Sequence, residues 1–178
     1  AGIRTADIAR WLGGDMAVVR CMPNTPALIQ CGATALYANK SVSEAQQNLA
    51  DEILRAAGIT AWVADEDLLD VATAVSGSGP AYFFLLMEAM QQTAVKLGLD
   101  KETATSLTLQ TALGAARMAN ESELDVQELR ARVTSKGGTT AAAISSFEHD
   151  DFHRNVSKAL NAAYNRSREL ADELGKDI

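Results

Sequence analysis

The stretch SGSGPAYFFLLM, residues 76–87, marks the point where a mixed sequence gives way to a helical one. Pro80 fits the first position of a helix, because its missing N–H is not needed there. The helix predicted from Pro80 to about Leu97 is apolar nearly all round in its first half, which is typical of a buried helix or of one in a subunit interface. From Asp65 onward the sequence has helical character throughout. We therefore predict a mainly α protein with a small α/β remnant.

The segments before Asp65 alternate between strand and helix signals, which indicates an α/β unit. Strands are predicted at 17–21, 33–37 and 59–63, and helices at 7–12 and 43–57. Ser43, with Gln46 three residues later, fits a capping box at the start of the second helix. Three short strands make a thin sheet, so we expect the sheet to be incomplete.

The helical part has clear stop and start signals. Gly98 ends the helix that begins at Pro80, and Asp100 caps the next one. The last helix, from about Asp151, carries apolar side chains at steps of three and four as far as Leu174. This spacing predicts one continuous stripe that lies in the core or in a subunit interface.

Composition excludes several classes of protein. The 178 residues carry 16 basic and 23 acidic side chains, a net charge of −7, and no cluster of Lys and Arg, so a nucleic-acid partner is not expected. The longest apolar run, Ala81 to Met87, is too short to span a membrane. Cys21 and Cys31 make no disulfide framework, which favours a reducing, cytoplasmic setting. The chain opens without Met, and we expect it to begin inside a fold.

The stretch RVTSKGGTT, residues 132–140, predicts an anion-binding turn before a helix. Gly137 and Gly138 lack Cβ, so the backbone can adopt positive φ and come close to a ligand. Successive amides in such a turn, together with the following helix start, suit a carboxylate or phosphate. A helix-to-helix turn with a Thr N-cap is an equally good interpretation of the spacing. A Walker A loop is excluded, because Lys136 precedes the glycines.

The stretch RCMPNTPA, residues 20–27, follows the first predicted strand. Ligands of open α/β sheets bind at the carboxyl ends of strands, and two prolines stiffen this segment. Asn24 and Thr25 are therefore predicted to have fixed orientations beside a ligand, although a rigid polar turn is equally compatible with the sequence.

Other candidate motifs do not meet their chemical requirements. Residues 77–82 begin like a dinucleotide fingerprint, but Tyr82 replaces the third glycine, and a polar turn takes the place of the preceding strand. His149 and His153 have the spacing of a zinc protease helix, but Asp stands where the catalytic Glu belongs. We expect no metal site and no Ser-His-Asp or Cys-His centre.

Taken together, RCMPNTPA at 20–27, AVSGSGPAY at 74–82 and RVTSKGGTT at 132–140 resemble pyrroline-5-carboxylate reductases, the last enzymes of proline biosynthesis. The resemblance implies a Rossmann domain that binds NADPH or NADH, followed by a helical domain that joins two subunits, with larger assemblies of dimers common. It implies that residues 1–64 are the C-terminal part of the dinucleotide-binding domain. Residues 65–178 would form the helical substrate-binding and dimerisation domain. The first strands and the phosphate loop would lie outside this sequence.

The same resemblance implies a role for individual residues. The substrate residues would be Ser135, Gly137, Gly138, Thr139, Thr140 and Glu123. Three successive amides and the Ser135 hydroxyl would hold the substrate carboxylate, and Thr140, the implied catalytic residue, would hydrogen-bond the ring nitrogen. Met22, Pro23 and Asn24 would lie beside the nicotinamide and its ribose.

The implied reaction is hydride transfer from the nicotinamide to the C=N carbon of 1-pyrroline-5-carboxylate. An iminium carbon is already a good hydride acceptor, so the chemistry needs placement more than an acid or a base. The partners expected are this imino acid and a second copy of the chain. The alternative is that the 178 residues alone are a catalytically inactive fragment, acting as a helical dimerisation or carboxylate-binding module.

Overall fold

The computed structural model describes residues 2–175 and confirms a mainly α chain with one small sheet. It divides into two compact units, Ala1–Ala81 with Ser157–Ile178 and Tyr82–Val156. The elements are α1 (Thr5–Trp11), β1 (Val19–Met22), β2 (Gly32–Ala38), α2 (Glu44–Arg55), β3 (Gly58–Trp62), α3 (Leu68–Ala72), α4 (Gly79–Lys96), α5 (Lys101–Glu121), α6 (Val126–Arg132), α7 (Thr139–His149) and α8 (Phe152–Leu174). A 3₁₀ turn at Thr25–Ile29 follows β1, and a π-helix at Thr73–Gly77 joins α3 to α4.

The sheet has the order β1-β2-β3, and the three predicted strands are confirmed to within two residues at each end. β2 and β3 are parallel, with Gly32 opposite Gly58. β1 is antiparallel to β2, with Met22 opposite Ala35. The carboxyl end of β1 therefore lies near the ends where β2 and β3 begin. The prediction that the segment with Asn24 follows the carboxyl end of the first strand is confirmed.

Two glycines allow β2 and β3 to start side by side. Gly58 has φ +146, a region that L-residues with a side chain rarely adopt, and a Cβ there would overlap the backbone of Gly32. A Cβ on Gly32 would lie only 2.8 Å from the carbonyl oxygen of Ala57. Gly32 and Ala57 are also joined by a backbone hydrogen bond of 2.9 Å, from the Gly32 N–H to the Ala57 carbonyl oxygen. The first rung of the parallel pair thus requires glycine in both strands.

The core of the first unit draws side chains from β2, α3, the π-helix and α8. The buried apolar residues are Ala35, Leu36, Leu69, Ala74 and Ala171. One polar pair is buried among the same elements, Asp70 of α3 and Ser167 of α8, joined by a hydrogen bond of 2.6 Å. The predicted stripe of α8 is thus buried around Ser167, whereas Phe152 and Leu174 at its ends are exposed.

The predicted helix caps are confirmed. Ser43 and Gln46 form a reciprocal capping box at α2. The Ser43 hydroxyl accepts from the Gln46 N–H at 3.3 Å, and the Gln46 side-chain oxygen accepts from the Ser43 N–H at 2.8 Å. Asp100 accepts a 2.9 Å bond from the Thr103 N–H at α5. These caps depend on side chains only three residues apart, which is why the local sequence is sufficient to predict them.

The polar turn predicted at residues 76–79 is wrong. The chain remains helical there, and the N–H of Ser78 donates to the carbonyl of Thr73, five residues earlier, at 2.8 Å. The physical reason is Pro80, whose missing N–H breaks the α-helical pattern without ending the helix. One extra residue per turn is accommodated at this point as a π-helix.

The second unit leaves much apolar surface exposed. Within Tyr82–Val156, all of which is described, Ala104 and Thr108 are the buried residues. Phe83, Phe84 and Leu85 on α4 are each more than 60% exposed. Large apolar side chains with this much exposure are typical of a surface that another protein covers. Of the helices within residues 2–175, none has the length and apolar character needed to cross a membrane.

Candidate active site

The loop between α6 and α7 contains three of the six predicted substrate residues, Ser135, Gly137 and Gly138, and two more, Thr139 and Thr140, begin α7. The N–H of Gly138 donates to the carbonyl of Ser135 at 3.0 Å, which closes a tight turn directly before α7. Gly137 within this turn has φ +73, in the left-handed region that glycine adopts without strain. The predicted turn with a glycine at positive φ is confirmed.

Gly138, not a threonine, is the N-cap of α7. Its backbone is extended, at φ −80 and ψ 172, and no side chain caps the first turn. The alternative with a Thr N-cap is therefore wrong, because the reversal at Gly137 makes Gly138 the last non-helical residue. Thr139 and Thr140 are the first two residues of the helix. An uncapped helix start carries partial positive charge on amides that have no partner within the helix.

The hydroxyl of Ser135 lies against this helix start. A Cβ placed on Gly138 would be 2.6 Å from the Ser135 Oγ, so glycine at 138 leaves room for the hydroxyl. Lys136 in the same turn is exposed and adds positive charge. The turn thus offers N–H and O–H donors and a cation within a few residues, an arrangement that suits a small anion such as a carboxylate.

Two predicted substrate residues differ in their setting. Thr140 is half-buried in the first turn of α7, next to the Ser135–Gly138 turn in sequence. Glu123 is exposed in the connection between α5 and α6, a different loop from the one that holds Ser135. The roles of both residues remain predictions.

The segment Met22–Asn24 belongs to the first unit. Met22 is the last residue of β1 and is half-buried, and Pro23 is exposed. The methyl Cε of Met22 lies 2.5 Å from the position that a Cβ of Gly77 would occupy. Glycine at 77 therefore makes room for the methionine side chain beside the π-helix.

Asn24 has its side chain engaged within the protein. Its Oδ1 accepts a 2.9 Å bond from the N–H of Ala33, and its Nδ2 donates a 3.0 Å bond to the carbonyl of Ser76. The fixed orientation predicted for Asn24 is therefore found, but its partners are backbone groups of β2 and the π-helix. Sequence reasoning missed Ser76 as a partner. Pro80, four residues later, is a sequence signal that the Ser76 carbonyl needs a donor, but it does not identify Asn24 as that donor.

A metal centre has no candidate ligands in the described part of the chain, where no three His, Cys, Asp or Glu side chains form a group able to hold an ion.

Comparison with known proteins points to one family. The family model described as pyrroline-5-carboxylate reductase dimerisation matches residues 66–170. The chain is 59% identical over 176 residues to the pyrroline-5-carboxylate reductase of Pseudomonas aeruginosa, covering 99% of this chain and 64% of the relative. It is 44% identical over 171 residues to the enzyme of that name from Haemophilus influenzae, covering 96% of this chain and 63% of the relative.

Solved structures show the same fold. A pyrroline-5-carboxylate reductase from Coxiella burnetii superposes with a TM-score of 0.93 at 52% identity, covering 96% of this chain and 63% of that one. The pyrroline carboxylate reductase of Plasmodium falciparum, solved with NADP bound, gives a TM-score of 0.88 at 34% identity, covering 96% of this chain and 67% of that one. The chain thus spans less than two thirds of the length of the curated relatives named above. Because the family model matches more than half of its residues, the chain belongs to the pyrroline-5-carboxylate reductase family.

Proposed function

We propose that the protein reduces 1-pyrroline-5-carboxylate to L-proline with NADPH or NADH. The observation that carries the proposal is the turn at Ser135–Gly138, where a glycine N-cap, a hydroxyl and the free start of α7 form an anion-binding arrangement in a chain of this family. Relatives that match 96–99% of the chain bear the name of this reductase.

On the substrate side, the amides of Gly137 and Thr139 would bind the carboxylate, and the Ser135 hydroxyl would add a third donor. The N–H of Gly138, which the resemblance implied as a further donor, is held instead by the Ser135 carbonyl within the turn. Several donors on one carboxylate fix its orientation as well as its position. Thr140, in the first turn of α7, would bond the ring nitrogen. A clamp on the carboxylate and a contact on the nitrogen together define which face of the C=N carbon is presented.

Glu123 is proposed as an acidic neighbour of the substrate. It is exposed in the connection between α5 and α6, so its carboxyl group is accessible from solvent. A negative charge near the protonated imine nitrogen would favour the iminium, the better hydride acceptor.

On the cofactor side, the residues fit the nicotinamide end. Met22 and Pro23 offer apolar, partly exposed surface at the end of β1, which suits the face of a nicotinamide ring. NADPH or NADH supplies the hydride when it is bound. The sequence holds no Gly-x-Gly-x-x-Gly motif, so these residues would contact the nicotinamide end of the cofactor alone.

Self-association is part of the proposal. The family model is named for dimerisation, and it covers the helices whose apolar side chains are exposed in the single chain. An apolar groove of about 730 Å³ lies within the second unit. Its apolar lining includes Leu86, Met90, Val126, Ile144, Phe147 and Phe152. We propose that a second copy of the chain covers this groove and the exposed apolar side chains of the helices around it. Larger assemblies would be built from such dimers.

The remaining assignments follow from composition. Cys21 and Cys31 are free and exposed, which suits a reducing cytoplasm. With a net charge of −7, no role for nucleic acid is proposed, and none is proposed for a membrane. The boundary predicted at residues 64 and 65 is kept as a proposal for the two functional parts.

The test uses the full-length protein with 1-pyrroline-5-carboxylate and either NADPH or NADH. We expect L-proline to form in equal amount to the nicotinamide oxidised, and light scattering to give at least the mass of a dimer. A folded, dimeric protein that forms no proline would contradict the proposed reaction. L-proline binding that needs no nicotinamide would then support the carboxylate-binding alternative.

A further inference from the structure

The carbonyl of Ser76 lacks its ordinary helical partner. In an α-helix the carbonyl of one residue accepts from the N–H four residues later. Four residues after Ser76 stands Pro80, which has no N–H to give. The N–H of Ala81, the partner expected five residues later in a π-helix, donates instead to the Ser78 carbonyl at 3.1 Å. Ser76 is half-buried, so an unpaired carbonyl there would be costly.

Asn24 supplies the missing donor from a distant part of the sequence. Its Nδ2 donates to the Ser76 carbonyl at 3.0 Å across a separation of 52 residues. The Oδ1 of the same carboxamide accepts from the N–H of Ala33 at 2.9 Å. One side chain therefore joins the segment after β1 to both the start of β2 and the π-helix.

A second contact secures the same segment two residues earlier. Met22 places its Cε against Gly77, the residue that follows Ser76 in the π-helix, at 2.5 Å from where a Cβ would be. Successive residues of the π-helix thus receive Asn24 and Met22. Residues 20–27 and 74–81, both in the first compact unit, are therefore joined by a polar and an apolar contact.

We infer that Asn24 is a positioning residue for hydride transfer. By donating to the carbonyl that Pro80 leaves without a partner, it fixes the segment that carries Met22 and Pro23, with Met22 beside the π-helix. The inference rests on the proposed function, in which Met22 and Pro23 face the nicotinamide. Asn24 would thus act on the cofactor through Met22 and Pro23 and not by direct contact.

Asn24→Asp in the full-length protein separates the two bonds of the carboxamide. The aspartate keeps an acceptor for the Ala33 N–H but has no donor for the Ser76 carbonyl. We expect kcat to fall by about tenfold or more, with the KM for 1-pyrroline-5-carboxylate changed by less than about twofold, because placement and not substrate binding is lost.

Asn39→Asp is the matched control. Its carboxamide also joins separate backbone groups, donating to the Met16 carbonyl at 2.8 Å and accepting from the N–H groups of Val18 at 3.2 Å and Ser41 at 3.3 Å. These groups lie at the opposite end of β1 from Met22. We expect Asn39→Asp to leave kcat within about twofold of wild type, even where it lowers thermal stability by a similar amount.

Pro80→Ala provides the rescue. It returns a backbone N–H to position 80, so the Ser76 carbonyl gains a local donor and depends less on Asn24. In the Pro80→Ala background, the decrease in log kcat caused by Asn24→Asp should be less than half of the decrease that the same substitution causes in wild type. If Asn24→Asp does not fold, Gly77→Ala is the second variant, because it displaces Met22 and should lower kcat in the same way.

The outcomes are distinguishable. A wild-type protein that makes no proline refutes the proposed function. Amide exchange at Ala33 still tests the bond to Asn24 in that case, because it should accelerate in Asn24→Ala and stay slow in Asn24→Asp. A lower thermal stability of Asn24→Asp in wild type than in the Pro80→Ala background tests the bond to Ser76. An active wild type in which Asn24→Asp keeps its kcat, or loses no more than Asn39→Asp at equal stability, overturns the inference. Unchanged kcat in Gly77→Ala overturns it as well.

Discussion

The hydroxyl of Ser167 on α8 donates a 2.6 Å hydrogen bond to Oδ1 of Asp70 on α3, and both residues are at least 97% buried. The two residues are 97 positions apart in the sequence. This bond satisfies a polar side chain in the core of the first unit and attaches the last helix to the segment that precedes the π-helix.

Ser167→Ala is therefore expected to destabilise the protein by about 1–3 kcal/mol, because the buried Asp70 oxygen loses its donor. The measurement is the free energy of unfolding from urea denaturation. Ser157→Ala on the exposed part of the same helix is the control, since it makes the same change in helix propensity and should stay within about 0.5 kcal/mol of wild type. Equal effects of the two substitutions would contradict the expectation.

Gly58→Ala should destabilise the protein strongly, because it combines a strained φ of +146 with overlap against the Gly32 backbone. Gly14→Ala is the matched control, since Gly14 has φ +111 and open space around its Cα. The control should show strain alone, about 1–2 kcal/mol. We expect Gly58→Ala to cost at least about 2 kcal/mol more in urea denaturation. Similar losses of unfolding free energy in the two variants would show that the overlap of the new Cβ with the Gly32 backbone has no cost.

Asp51 makes stability depend on pH. Its Oδ1 accepts from the Thr60 hydroxyl at 2.6 Å and from the Trp62 indole at 3.1 Å, which ties α2 to β3. The Thr60 hydrogen bond, and next that of Arg55, lower the pKa of Asp51 below its ordinary 3.8. A lowered pKa in the folded state means that this stabilisation is full above the unfolded-state pKa and is lost as pH falls through the folded-state value.

We therefore expect the difference in unfolding free energy between wild type and Asp51→Asn to be constant above about pH 5 and to shrink steadily below about pH 4. Urea denaturation at a series of pH values measures it. Thr60→Val removes the largest cause of the pKa shift and should reduce the pH-dependent part of that difference. A difference that grows on acidification would have the wrong sign.

Gly138→Ala tests the anion-binding turn. The substitution is compatible with φ −80, but its Cβ would lie 2.6 Å from the Ser135 Oγ and displace the hydroxyl. We expect the affinity for L-proline, measured by calorimetry on the full-length protein with NADP⁺ present, to fall about tenfold with stability nearly unchanged. Adding Ser135→Ala should cause little further loss, since both changes remove the same donor. If the losses of affinity in the two single variants add up in the double variant, Gly138 and Ser135 contribute to proline binding independently, which would contradict the expectation.

Thr140→Ala tests the proposed contact with the ring nitrogen. We expect kcat/KM for 1-pyrroline-5-carboxylate to fall about tenfold, the value of one hydrogen bond, while the KM for NADPH is maintained. Thr140→Ser keeps the hydroxyl and should retain most of the activity. Steady-state kinetics of wild-type quality in the alanine variant would remove the assignment.

Local signals predicted much of this fold. The cap residues Ser43 and Asp100 act on groups three residues away, and short apolar runs gave the three strands, because these features depend on neighbours in sequence. The direction of β1 is different, since antiparallel pairing with β2 is decided by the path of the chain between them. No local pattern encodes it.

The candidate site divides in the same way. The turn around Gly137 follows from the conformational freedom of glycine, so the sequence predicts it. The partner of Asn24 does not, because Ser76 lies 52 residues away and its need for a donor arises only when Pro80 is part of a continuous helix. A missing N–H is easy to see in a sequence, but the group that compensates for it is known only from the fold.

The bond between Ser167 and Asp70 also has a consequence in time. Residues 82–156 are inserted between the two chain segments that form the first unit. At a synthesis rate of about 5–20 residues per second, Asp70 is added to the chain roughly 5–20 s before Ser167. The strands of the sheet are therefore synthesised early, but the core beside them is complete only after residues 82–156 and then α8 have been translated.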